Sequence, residues 1–352
     1  MQTIVMRDKQ LHLEEVAAPV PGPGQVLVKS LACGICGSDI HMLKHADDYV
    51  PLMKQEGMMD SEASVSDFAV SLGHEFCAEV VAYGPETSQQ LPVGTRVTSI
   101  PFILDGEEQV GIGVGPGLYG AYSEYFILTE SLMIPVPEQL PSEAAALTEP
   151  LAVGLHSVNV ADQDTDTVAL VAGCGPIGLA CIIALQQRGV KTIIASDPQE
   201  DKRQLAETFG ATHTVDPQSQ DEFALLAEIA GESKTAVYEC VGIPKMIPDL
   251  IRRTPAGSTV VFTGIHSSSV TIEPMHATMK ELVLKFSFYY TPEDFVTCLE
   301  MLNKQEIPWQ KLITGRVGID SVEGAFDALM SGGEHTKVII EPWRKGSLQA
   351  YI

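Results

Sequence analysis

A thiol, an imidazole and a carboxylate stand out in the first 150 residues. Cys36 lies in G-I-C-G-S-D-I-H (34–41), His74 in G-H-E (73–75) and Glu149 in T-E-P-L (148–151). Together they form a mixed S/N/O donor set suited to Zn²⁺, and three protein ligands leave a fourth position open for a reacting molecule. No two of them sit at close helical spacing, so only the fold can assemble them. Each also has an ordinary alternative: a buried thiol, a satisfied core histidine, an exposed acid ahead of a proline.

The second chemical signal is V-A-L-V-A-G-C-G-P-I-G at 168–178, which places G-x-G-x-x-G at Gly173, Gly175 and Gly178. The pattern is weak alone, but here it follows an apolar strand and opens a helix with Pro176 and Ile177 in its first turn. The first glycine permits the tight turn, the second lets backbone approach a pyrophosphate, and the third draws helix and strand together. The helix N-terminus then offers unpaired N–H groups to the phosphates. Asp197, 19 residues past Gly178, ends the next strand. A carboxylate there accepts the ribose hydroxyls of NAD and repels the 2′-phosphate of NADP. Lys202 can reach the same ribose or a phosphate, and Arg203 leaves some room for NADP.

These groups need two kinds of scaffold. The first 150 residues carry short β-type runs broken by Gly and Pro (QVLVKSLACG, EFCAEVVAYG, TRVTSIPFIL, YSEYFIL), with a Gly-rich loop or lobe at 106–120. From about Asp166, six apolar strands alternate with helix-length segments, which argues a doubly wound parallel sheet. The expected architecture is α/β: a Rossmann domain (155–288) inserted into a mostly β catalytic domain (1–154 and 289–352). The long 42–72 stretch between Cys36 and His74 reads as a lid or a reshaped pocket wall, and its methionines 42, 53, 58 and 59 as an adaptable apolar surface or a buried one.

G-I-C-G-S-D-x-H, G-H-E and E-P-L, followed by G-x-G-P-x-G, resemble the zinc-containing medium-chain dehydrogenases over essentially the whole chain, and in particular the sorbitol (polyol) dehydrogenase branch. The resemblance implies a GroES-like catalytic domain, one catalytic zinc, NAD, and oxidation of a secondary alcohol or polyol to a carbonyl. It implies Cys36, His74 and Glu149 as zinc ligands, with Glu149 binding directly or through water, and Glu75 as a nearby carboxylate able to approach the metal. Ser38 matches the hydroxyl that takes the substrate proton, His41 the outer end of the relay, and Asp39 the carboxylate orienting the zinc histidine. Lys337 falls where a basic residue meets the pyrophosphate, and Phe288, where the βαβ texture ends, is taken as another cofactor contact. Many relatives carry four closely spaced cysteines for a structural zinc; 101–120 has none, so no second zinc is expected.

The remaining totals exclude more than they assign. With 22 Lys+Arg against 46 Asp+Glu the net charge is −24, a surface that repels nucleic acid and anionic lipid. No signal-peptide pattern or membrane-length apolar run is present, and seven cysteines favour reduced thiols, hence a cytoplasmic protein acting on a small alcohol or carbonyl. The resemblance implies a homodimer or homotetramer. Two rivals remain: a zinc-free reductase of activated double bonds on the same fold, which the Cys36–His74–Glu149 set disfavours, and a non-catalytic dinucleotide-binding protein, in which Ser38 and His41 would be idle.

Overall fold

The computed structural model describes residues 1–56, 69–106, 108–115, 117–332 and 335–351. The chain divides into two compact units, 1–149 with 299–352, and 150–298. The crossings thus fall after residues 149 and 298, where the texture of the sequence suggested 154 and 288.

The discontinuous unit begins with β1 (Gln2–Arg7), β2 (Gln10–Glu15) and β3 (Gln25–Gly34), then α1 (Gly37–Gln55). There follow β4 (Val70–Ser71), β5 (Glu75–Tyr83), β6 (Arg96–Ser99), β7 (Phe102–Asp105), β8 (Glu108–Gly111), β9 (Tyr125–Thr129) and β10 (Met133–Pro135). Helix α2 (Ser142–Ala146) precedes α3 (Thr148–Ala161), whose first turn carries Glu149. The Gly-rich stretch is partly ordered by the β7–β8 hairpin.

Of the two readings of the 42–72 methionines, burial holds for Met42 and Met53. The first part of that stretch continues α1 through residue 55, kinked at His45 and passing through Pro51. Met42, Leu43, Ala46, Val50 and Met53 recur at helical spacing and are buried, so this part of the segment is held by its apolar stripe. Met58 and Met59 lie outside the described residues.

The continuous unit holds β11 (Val168–Ala172), α4 (Pro176–Gln187), β12 (Thr192–Ser196), β13 (His213–Val215), β14 (Thr235–Glu239), β15 (Thr259–Phe262) and β16 (Val283–Phe286). All pair in parallel in the order β13-β12-β11-β14-β15-β16. That is the doubly wound arrangement, with the order reversing at β11, where a ligand crevice is expected. Strands β11 and β14 are buried along their whole length, as a parallel sheet covered on both faces requires.

The chain then returns to the first unit with β17 (Ile313–Gly318), β18 (Lys337–Glu341) and β19 (Gln349–Ala350), closing the sheet β10-β6-β5-β3-β18-β17-β19, with β9 also on β3. No helix among the described residues is long and apolar enough to cross a membrane.

Candidate metal and cofactor sites

Strand register brings the thiol and the imidazole together. β3 and β5 run antiparallel with Gly34 opposite Glu75 and Cys33 opposite Phe76. Extending that register past the end of β3 lays Cys36 beside the Gly73–His74 turn. Cys36 is also the N-cap of α1: its Sγ accepts from Ser38 N at 3.5 Å, while Asp39 Oδ2 accepts from Cys36 N at 3.1 Å. A thiolate at a helix N-terminus is favoured by the exposed N–H groups there.

Ligand atoms of Cys36, His74 and Glu75 lie within 4.8 Å of one another. Zinc bonds to S, N and O are about 2.0–2.3 Å, so this spacing suits donors converging on a single ion. Two further atoms support the fit: His74 Nδ1 and Asp39 Oδ1 are buried without a hydrogen-bond partner, 3.6 Å apart, in the arrangement by which a carboxylate orients a metal-bound imidazole. Burial and then the Glu75 charge push the Cys36 thiol up. Burial alone would lower His74, but Asp39 and then Cys36 hold it well above the ordinary histidine value. A cation among these donors reverses the first effect, since a coordinating thiol is deprotonated outright.

The third carboxylate differs from expectation. Glu75 completes the cluster, whereas Glu149 does not join it within that distance; Glu149 is buried, and its charge acts on His74 and on Lys337.

Lys337 also departs from its expected place. Its ammonium donates to Glu75 Oε1 and Oε2, each at 2.7 Å, and to the Ile35 carbonyl at 3.0 Å. All three N–H groups are spent and the side chain is 2% exposed, so it meets a carboxylate rather than a pyrophosphate. Burial opposes its charge, but Glu75 and then Cys36 raise it above the ordinary lysine value. The cause is topological: β18 flanks β3 with Ile339 opposite Gly34, so Lys337 and Glu75 reach each other across that glycine. A Cβ at Gly34 would fall inside the Glu75 carboxylate. Gly34→Ala is therefore expected to disrupt a buried ion pair at a cost of about 3–5 kcal/mol, read as a fall in Tm of several degrees by calorimetry; an unchanged Tm would show that the pair is not built over this glycine.

The other candidates are placed as follows. Ser38 Oγ is 3.4 Å from His74 Nε2. His41 follows one turn along α1, half-buried, its ring 4.7 Å from that of His45. In the second unit, Gly173 adopts φ +94°, and a Cβ at Gly178 would strike the Gly173 carbonyl, so helix and strand approach as closely as the motif requires. A Cβ at Gly175 would meet nothing within 4 Å, which leaves the turn open to a phosphate. Pro176 and Ile177 are half-buried in the first turn of α4. Asp197 is buried just past β12, where Oδ2 accepts from Cys174 N and Oδ1 from Gln199 N, each at 2.9 Å. Each oxygen keeps a further lone pair for a hydroxyl donor. Arg203 donates to the Asp197 carbonyl at 2.7 Å, and the Lys202 charge reaches the Cys174 thiol. Phe288 is 65% exposed beyond β16, packed on Tyr289.

Two polar features gave no strong signal in the sequence. His266 Nε2 lies 3.0 Å from Glu239 Oε2 at the carboxyl ends of β15 and β14, while Glu239 Oε1 accepts from Val241 N and Gly242 N. Tyr122 donates to Asp39 Oδ2 at 2.6 Å from a fully buried position.

Residues 22–138 match the alcohol dehydrogenase GroES-like domain, and 176–304 match the zinc-binding dehydrogenase domain. The chain is 32% identical over 344 residues to (R,R)-butanediol dehydrogenase of Bacillus subtilis, covering 95% of this chain and 97% of that one. It is 26% identical to sorbitol dehydrogenase of Gallus gallus, covering 97% and 96%. The crystal structure of 2R,3R-butanediol dehydrogenase from Bacillus subtilis superposes with a TM-score of 0.83 at 29% identity, over 97% of this chain and 99% of that one. Matched in both domains and nearly end to end by these proteins, the chain belongs to the zinc-dependent medium-chain dehydrogenase family, alongside the butanediol and sorbitol dehydrogenases.

Proposed function

We propose that this zinc- and NAD-linked alcohol dehydrogenase oxidises one secondary hydroxyl of a vicinal diol to an α-hydroxyketone, and runs the reverse reduction. The observation that carries the reading is the convergence of Cys36, His74 and a buried carboxylate with the Ser38 hydroxyl at the metal-facing nitrogen of His74. The vicinal diol is favoured over other alcohols because relatives named butanediol dehydrogenase match nearly end to end.

Cys36 and His74 would hold the zinc, with Glu75 as the carboxylate within reach and Glu149, whose charge acts on His74, as the donor that would replace it while Lys337 holds Glu75. When bound, zinc supplies Lewis acidity that brings an alcohol's pKa toward neutrality, and NAD supplies the hydride acceptor. Ser38 takes the hydroxyl proton, and His41, three residues on, delivers it outward. Asp39 keeps the His74 ring turned toward the metal. Gly173, Gly175, Pro176, Ile177 and Gly178 seat the pyrophosphate, while Asp197 selects NAD by taking the ribose hydroxyls, with Lys202 beside it.

The test is a substrate panel followed by NADH absorbance. A 2,3-diol is expected to exceed the matching mono-alcohol in kcat/KM by at least about tenfold, the worth of one well-placed hydrogen bond. A preference for the mono-alcohol sinks the diol reading, and a preference for sorbitol moves the substrate from a short diol to a longer polyol. Turnover unaffected by thorough zinc removal favours the double-bond reductase instead, and no turnover with any alcohol favours the non-catalytic binder.

We infer further that the protein is a homo-oligomer working in the cytoplasm. All seven cysteines are free. β16 is the edge of its sheet among the described residues, and Phe286 on it is 72% exposed, with Val283, Phe288, Met275 and Met279 exposed nearby. An apolar edge strand left open pairs with another chain, and a second copy is the partner always at hand. Phe286→Asp is expected to shift the sedimenting species to monomer; an unchanged assembly would place the interface elsewhere.

A further inference from the structure

Asp39 has two oxygens and two separate tasks. Oδ1 faces His74 Nδ1 at 3.6 Å, while Oδ2 accepts from the Cys36 backbone at 3.1 Å and from the Tyr122 hydroxyl at 2.6 Å. The short phenol bond comes from a segment remote in sequence from both α1 and the His74 turn, and the same hydroxyl lies 3.2 Å from Gly34 O. Tyr122 holds that turn as well. Its amide donates to Leu72 O at 3.0 Å, the Ala121 amide donates to Gly73 O at 2.9 Å, and Gly73, at φ +105°, is left without room for a side chain: a Cβ there would sit 2.6 Å from the Tyr122 ring. The ring itself is fully buried and meets Phe326 edge-on at 6.3 Å. One residue therefore braces the turn that presents His74 and, through its hydroxyl, the carboxylate that aims the imidazole.

We propose that Tyr122 is a positioning residue for the metal centre, its hydroxyl fixing Asp39 so that Asp39 fixes the tautomer and angle of His74, and that this chain sets how long zinc stays bound. The proposal rests on the reading of His74 as a ligand. A histidine whose second nitrogen is held by a carboxylate is a better and better-aimed donor, and outer partners of this kind typically change metal affinity by about 10–100-fold. What is added here is one more link outward, made by a phenol on the segment following the Gly-rich lobe.

Tyr122→Phe removes the hydroxyl and keeps the ring. The zinc-loaded variant is expected to release metal to excess chelator at least about tenfold faster than wild type, to show shifted ligand-field bands after cobalt substitution, and to keep its Kd for NADH. In an Asp39→Ala background the same substitution is expected to change zinc release less than twofold, because the path through Asp39 is already cut. Wild-type release from Tyr122→Phe overturns the proposal even if Tm falls, since that is the mark of a packing role. An equal acceleration in both backgrounds overturns it too, because the hydroxyl would then act without Asp39. A wild-type protein that binds no zinc overturns the metal reading itself, a result distinct from either. If Tyr122→Phe does not fold, 3-fluorotyrosine at this position keeps the ring and strengthens the donor: slower release supports the proposal, and unchanged or faster release overturns it.

Discussion

Replacing Cys36 with alanine is expected to empty the metal site and lower kcat/KM for alcohol oxidation by at least about a thousandfold. Lewis-acid stabilisation is worth several kcal/mol and each 1.36 kcal/mol is a factor of ten in rate, so three powers of ten is the conservative end. Metal analysis is expected to fall from about one zinc per chain toward none, as a catalytic site deprived of one of three ligands cannot hold the ion. NADH binding, followed by its fluorescence, is expected to survive, because the glycine loop belongs to a unit with its own core around Val168, Leu170, Ile194 and Val237. A metal-free variant that turns over near the wild-type rate defeats the mechanism.

The second large effect is expected at Asp197. On the proposed role of Asp197, Asp197→Ser would remove a charge that repels a 2′-phosphate and shorten the acceptor offered to the ribose. Two lost hydrogen bonds to a charged group, at about 1.5–3 kcal/mol each, and local loosening of the loop predict a fall in kcat/KM for NAD of about a hundredfold or more. The value for NADP is expected to rise, with Arg203 already beside the position through its bond to the Asp197 carbonyl. Part of the loss is structural, because the carboxylate also holds Cys174 N and Gln199 N. The ratio of the two cofactors, not the absolute rate, is thus the diagnostic. An unchanged ratio would mean that discrimination lies elsewhere.

The contrast between what the sequence revealed and what it hid follows contact range. The dinucleotide unit was legible because its signals are local: each buried parallel strand is a short apolar run, and the loop glycines sit within six residues of one another. The pairing of Cys36 with His74 was suggested by the flanking G-x-x-G-S-D and G-H-E, and the structure brings their donor atoms together. The role of Lys337 was not, since it depends on β18 lying beside β3, a pairing between segments some three hundred residues apart. Gly34 carried a usable hint: a glycine in an otherwise continuous strand marks a place where something crosses it. Helix α1 was hidden by Pro51 and by its acidic residues, which mask the buried spacing of Met42, Ala46, Val50 and Met53. Tyr122 gave no signal, as nothing in the sequence separates it from its neighbours Tyr119 and Tyr125.

The ion pair of Glu75 and Lys337 spans 262 residues of sequence. During translation the glutamate leaves the ribosome long before its counter-charge, and the whole of 150–298 is made in the interval. That middle unit can fold as it emerges, while the N-terminal strands wait for β17 and β18 to finish their sheet. A product truncated ahead of residue 337 lacks the ammonium that compensates the buried Glu75 carboxylate, and is expected to be less stable for it.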